Sequence, residues 1–149
     1  MEAQATRLQT EAFAAFGEGK FDEALGKAAE IRKLVNDKPF PQILYLEGAC
    51  YFNKNDYAKA VEVLQEYVDK FADGDAIVDV RMALGRALIQ KGDGDKGVTV
   101  LKEVVTKSPE RKGEAGLAIA NYYKKANKVD EAIQILTAVI ADGIRSSEG

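Results

Sequence analysis

Residues 55–67 read NDYAKAVEVLQEY, and within them Tyr57, Ala60, Leu64 and Tyr67 stand at steps of three and four. Those steps put all four on one side of an α-helix, with charged and polar residues on the other. The same stretch recurs as GKFDEALGKAAEI at 19–31 and NKVDEAIQIL at 127–136. Aligned on its small residue, the pattern places Ala24, Ala60, Gly97 and Ala132 at intervals of 36, 37 and 35 residues. Self-similarity at a fixed period of this size marks stacked helical units, none able to bury its apolar face alone.

The alignment extends to both sides of the small residue. Twelve positions earlier stand Ala12, Gly48, Gly85 and Ala120, all small, and nine earlier Ala15, Tyr51, Leu88 and Tyr123. Four positions later come Ala28, Leu64, Leu101 and Leu136, and seven later Ile31, Tyr67, Val104 and Val139. Each unit therefore reads as two amphipathic helices whose backbones come closest at the paired small residues. The predicted helices are 2–17, 20–36, 40–53, 56–71, 75–91, 95–107, 109–125 and 128–142. Ser108, Pro109 and Glu110 form a helix-start signal, and Asp56, Asp75 and Asp130 are candidates for the same role. Gly17, Gly19, Gly92, Gly94 and Gly143 are expected at helix ends.

Little chemistry accompanies the repeat. The 149 residues contain no histidine and one cysteine, which removes the parts of the usual catalytic triads, zinc sites and haem ligation. No catalytic residue, metal site or cofactor is expected. Acid pairs such as Asp22–Glu23 and Asp130–Glu131 sit at helix starts, where the dipole favours them whatever the function. The string GDGDKG at 92–97 is no calcium loop, since the twelfth position from Asp93 is Val104, and no GK[ST] follows. Cys50 reads as a small buried residue. The 21 basic and 24 acidic residues give no electrostatic case for nucleic acid, and no run of eighteen apolar residues offers a membrane span. The N-terminal MEAQATRLQTEAF reads as an amphipathic helix rather than a secretory signal. The chain as written thus reads as cytoplasmic, or as periplasmic if cut from a longer envelope protein.

These segments resemble the tetratricopeptide repeat (TPR) family over roughly residues 5–144. The resemblance implies an all-α, right-handed superhelical solenoid of four antiparallel helix pairs, forming one domain over 1–145. Its repeats would cover about 5–38, 41–74, 78–110 and 113–145, with 146–149 as a tail. Departures from the family pattern are Arg81 and Gly116 early in the first helices of repeats three and four, and Gly94 and Gly97 in repeat three. The third pair is accordingly expected to pack less tightly. Residues 67–109 also resemble the repeats of bacterial envelope proteins such as the periplasmic partner of the Tol system.

The family lines a concave groove with its first helices and uses it to bind proteins or peptides. Carried over by register, the lining is Phe13 and Phe16; Tyr45, Ala49 and Phe52; Met82, Arg86 and Ile89; and Leu117, Asn121 and Lys124. Its aromatic N-terminal half implies an apolar peptide or helix as ligand. The clamp by which some members grip an acidic chaperone tail needs cations where this chain has Thr6, Gln9, Phe13, Gln42, Tyr45 and Ala49, so that use is disfavoured. Arg86, Lys124 and Lys125 leave room for an anionic contact further along. At the far end Ile133, Ile140 and Ile144 continue an apolar stripe with no later helix to cover it. Either the array continues in a longer parent, or two chains pack end to end, or the tail folds back; the first two are preferred. The reading is a non-enzymatic interaction scaffold. The alternative is an accessory or assembly domain of a larger enzyme, secretion or envelope complex, oligomerising through this end.

Overall fold

The computed structural model describes the backbone of residues 2–36, 38 and 40–148, and within these the side chains of all but residues 2 and 142–148. Its helices are α1 (Glu2–Gly17), α2 (Phe21–Leu34), α3 (Pro41–Asn53), α4 (Tyr57–Lys70), α5 (Ile77–Lys91), α6 (Gly94–Lys107), α7 (Lys112–Lys125) and α8 (Val129–Glu148). They form four antiparallel pairs, and each pair packs on the next through α2 with α3, α4 with α5, and α6 with α7. The first helices also touch in series, α1 to α3 to α5 to α7, while the second helices do not touch one another. The stack therefore curves with the first helices on its inside, as a right-handed solenoid does.

One device builds the turn inside every pair. Gly19, Asn55, Gly92 and Asn127 occupy the same place in the four units, and all have positive φ, at 79°, 64°, 110° and 61°. At each, two backbone bonds close the helix end. Lys20 N–H donates to Ala15 O (2.9 Å), Asp56 N–H to Tyr51 O (2.9 Å), Asp93 N–H to Leu88 O (2.8 Å) and Lys128 N–H to Tyr123 O (2.7 Å). The left-handed residue itself donates to the carbonyl three positions back. This is the Schellman closure, which admits Gly and Asn because both tolerate the left-handed conformation.

The core runs along the solenoid as three successive clusters and uses the repeat positions. Ala12, Ala24, Ala28, Ile31, Leu64, Tyr67, Leu101 and Val104 are buried, with Ile43, Leu46, Val80, Leu84, Ala115 and Ile119 filling the seams between units. An ion pair crosses the first seam: Arg32 on α2 donates to Glu47 on α3 from Nε (2.8 Å) and Nη2 (2.6 Å). Glu47 is only 7% exposed, so its carboxylate depends on this two-pronged partner.

Several expectations are corrected. The third pair is not loose. A Cβ on Gly97 would lie 2.6 Å from the Gly85 carbonyl oxygen, so α5 and α6 meet backbone to backbone where the other pairs carry at least one alanine. Nor is Gly94 a defect: a Cβ there would lie 2.2 Å from Cε2 of Tyr122, whose ring occupies the space. Gly17 ends α1 and Gly94 starts α6, at helix ends as expected, but α8 passes through Gly143, so the tail extends the helix instead of folding back. Asp56 does cap α4, accepting from Lys59 N–H at 3.3 Å. Asp75 caps nothing, because α5 begins two residues later, and Asp130 lies within the first turn of α8. Ser108 makes no side-chain cap, and Pro109–Arg111 forms a 3-10 turn that delays α7 to Lys112.

Candidate partner-binding groove

On the inner wall two clefts open between neighbouring first helices. The first, of about 320 Å³, brings Phe13 of α1 and Tyr45 of α3 together with Tyr67 and the loop Asp73–Ala76. The second, of about 210 Å³, joins Phe52 of α3, Arg86 and Ile89 of α5, and Asn121, Tyr122 and Lys125 of α7. Most of the groove residues expected from the repeat register thus fall into two groups, one at each half of the wall.

Their chemistry differs. In the first cleft Asp73 and Asp75 are exposed and have no ion-pair partner among the described residues. Burial, reinforced by the nearby Asp79 carboxylate, pushes the Tyr45 hydroxyl up, so it stays a neutral donor at physiological pH. The Tyr67 hydroxyl fixes the loop by accepting from Ala76 N–H at 3.2 Å, and a Cβ on Gly74 would strike it at 2.5 Å. In the second cleft Lys125 lacks an ion-pair partner among the described residues, whereas Arg86 reaches Glu114 at 3.3 Å. Glu114 is shared: Arg111 donates to it from Nε at 2.9 Å and to Asp79 from Nη1 at 2.6 Å. These bonds hold Glu114 below the usual carboxylate range and Arg111 above its ordinary value. A chain of alternating charges therefore braces α5 against α7 between the two clefts.

Not every expected residue lines the groove. Met82 is 2% exposed and packs among Val98, Leu101, Ala115 and Ile119, because α7 lies on top of it. Phe16 is engaged within its own unit, edge to face with Phe21 at 5.6 Å, and Phe52 packs in the same way on Tyr57 at 5.4 Å while still bordering the second cleft. Lys124 faces the C-terminal end with Leu117 rather than the second cleft. Cys50 is fully buried and its thiol is pushed up to about 11 by desolvation, which makes it a packing residue and a poor nucleophile. Tyr67, the 73–76 loop and Tyr122 are cleft residues that the register argument missed, while Lys125, noted from the sequence for an anionic contact, borders the second cleft. Tyr67 is the instructive one, since a core position by periodicity still delivers its hydroxyl to the surface.

At the C-terminal end Leu117, Val129, Ile133 and Ile140 are exposed by 54%, 55%, 56% and 61%. Leu117, Ala120, Val129, Ala132, Ile133 and Leu136 line an apolar cleft of about 350 Å³ between α7 and α8. Ile144, expected in the same stripe, has its side chain outside the described residues. Among the described residues no helix is long and apolar enough to cross a membrane.

Residues 10–76 match the tetratricopeptide repeat family. That segment, somewhat under half of the chain, carries the tetratricopeptide-repeat pattern. The TPR fold continues beyond the matched segment, and solved structures cover nearly all of it. The crystal structure of MamA superposes with a TM-score of 0.82 at 16% identity, over 97% of this chain and 81% of that one. A second MamA structure, MSR-1 C2, gives 0.76 at 21% identity over 91% and 74%. A putative kinesin light chain with nearly identical TPR-like repeats from Podospora anserina gives 0.76 at 18% identity over 97% and 77%. At these identities the likeness is one of fold. No curated protein matches the sequence. The TPR fold is commonly a protein-interaction scaffold.

Proposed function

We propose that this chain is a non-enzymatic scaffold that holds a peptide or partner helix along the wall formed by α1, α3, α5 and α7. The observation that carries the reading is the pair of clefts of opposite character on one wall. Phe13 and Tyr45 lie beside the exposed Asp73 and Asp75, and Phe52, Ile89 and Tyr122 lie beside Arg86 and Lys125. Aromatic surface supplies contact area at little entropic cost, and the flanking charges select what may dock. The favoured ligand presents a basic residue to the first cleft and an acidic, apolar-flanked residue to the second, so it binds in one direction.

The test is site-specific photo-crosslinking from position 45 or position 52, compared between the native chain and a Phe52→Ala/Arg86→Ala variant. A discrete partner captured from both positions, and lost in the variant, supports the groove. Capture that survives the variant but is abolished by Ile133→Asp/Ile140→Asp moves binding to the C-terminal end.

A second reading has its own observation behind it. The exposed apolar residues of α7 and α8 suit an accessory or assembly domain that joins a larger enzyme, secretion or envelope complex through its end.

A further inference from the structure

The outer faces of units three and four are built to one plan. Met82, Gly94, Val98, Leu101 and Val105 of unit three correspond by register to Leu117, Val129, Ile133, Leu136 and Ile140 of unit four. In unit three α7 covers this surface: Met82 and Val98 are buried, and Val105 packs partly buried against the same cluster. In unit four the equivalent residues form the apolar cleft and stripe at the C-terminal end, still shaped as a seat for a helix. What occupies that seat in every earlier unit is the first helix of the next, presenting an apolar face. Those faces are Ile43, Leu46 and Cys50 on α3, Val80, Ala83 and Ala87 on α5, and Ala115, Ala118 and Tyr122 on α7.

The corresponding face of α1 is different. It carries Arg7, Thr10, Glu11 and Ala14. Glu11 pairs with Lys27 at 3.0 Å and lies 3.9 Å from Arg7, and Thr10 donates to its own helix at Thr6 O. The α1 face of the array is thus polar where its α7–α8 face is apolar. A head-to-tail stack would press the apolar α7–α8 face against these charges and strip them of water with nothing in exchange.

Resting on the assembly reading of the C-terminal end, we infer that the occupant of the α7–α8 face is the same face of a second copy, related by a two-fold axis. Such an isologous contact matches apolar surface with apolar surface and closes after two chains. It leaves both polar α1 ends outward and both inner walls open, so each dimer presents two grooves facing away from one junction.

Sedimentation equilibrium of the chain over a wide micromolar range tests this, alongside Ile133→Asp/Ile140→Asp and, independently, Leu117→Asp. These side chains are exposed, so the variants keep their helical circular dichroism. The expected result is a reversible species of twice the 16.2 kDa chain mass, with no larger one at high concentration. The paired isoleucine variant should weaken the association by roughly a hundredfold or more, and Leu117→Asp should weaken it as well. Growth into ever larger species would mean head-to-tail packing and overturn the proposal, as would a dimer indifferent to all three substitutions. A chain that stays monomeric overturns it too. If Ile133→Asp/Ile140→Asp nevertheless loses the crosslinked partner, the assembly reading stands with another protein as occupant; if capture is unaffected, that reading falls as well.

Discussion

Units three and four carry the same apolar pattern and meet opposite fates. Met82 is 2% exposed and Leu117, its counterpart 35 residues on, is 54% exposed; Val98 and Ile133 differ in the same way, at 5% and 56%. Nothing in either helix pair causes the difference. It comes from α7, which lies on unit three, whereas no helix among the described residues lies on unit four in the same way. In a solenoid, burial belongs to the neighbour as much as to the residue. A stripe that reads as core from its periodicity is core only where the next unit arrives.

The most severe way to break the comparison is to place the same charge at both sites. Met82→Asp should cost about 3 kcal/mol or more, since it buries a carboxylate without a partner. Leu117→Asp should leave the urea midpoint almost unchanged at concentrations where the chain is monomeric. Equal losses at the two sites would mean that unit four's face is covered within the single chain.

The seams offer the next test. Glu47→Ala removes the two-pronged partner of Arg32 at the junction of units one and two, and because that guanidinium keeps other contacts and some access to water we expect a loss of about 2 kcal/mol. Glu114→Gln, in the solvent-exposed network between units three and four, should barely move the midpoint. The sign of its pH dependence is set nonetheless. Glu114 is held below the usual carboxylate range in the folded chain, so its small contribution is complete above the ordinary glutamate value of about 4.3 and fades as the pH falls below it. A Glu114→Gln variant should therefore lose less stability than the native chain across that acidic window.

Helix crossings give a smaller contrast. Gly97→Ala should destabilise by about 1–2 kcal/mol despite alanine's better helix propensity, because the added methyl meets the Gly85 carbonyl. Gly26→Ala, on an exposed stretch of α2 with no atom near the new Cβ, should instead stabilise by roughly 0.5–1 kcal/mol. Thermal melts of the two single variants decide both signs. The smallest effect concerns Cys50: a thiol reagent should leave the native chain unmodified at neutral pH and react fully only in denaturant.

Much of this architecture was legible before any coordinates. The period located all eight helices, although α8 runs six residues past its expected end at 142, and the small residues at 24, 60, 97 and 132 marked the crossings. It was less informative where one residue type serves two ends. Gly94 and Gly97 look like gaps in a pattern, yet one seats the Tyr122 ring and the other lets two backbones touch. Asn55 and Asn127 hold the same left-handed turn as Gly19 and Gly92, but asparagine occurs too widely to announce it. For the groove, register placed Phe13, Tyr45, Phe52, Arg86, Ile89 and Asn121 at the clefts but also nominated Met82, because helix spacing does not say how far the next helix slides across. Tyr67 and the 73–76 loop were missed since a core landmark gives no sign that its hydroxyl reaches past the core.

The contrast between a covered and an uncovered copy of one surface is tested most directly by hydrogen exchange at two protein concentrations, one well below and one well above the dissociation constant of the dimer. The account predicts that amides of α8 over residues 129–141 gain protection at the higher concentration while those of α1 do not change. Exchange in α8 that ignores concentration, or protection that rises together in α1 and α8, would contradict it.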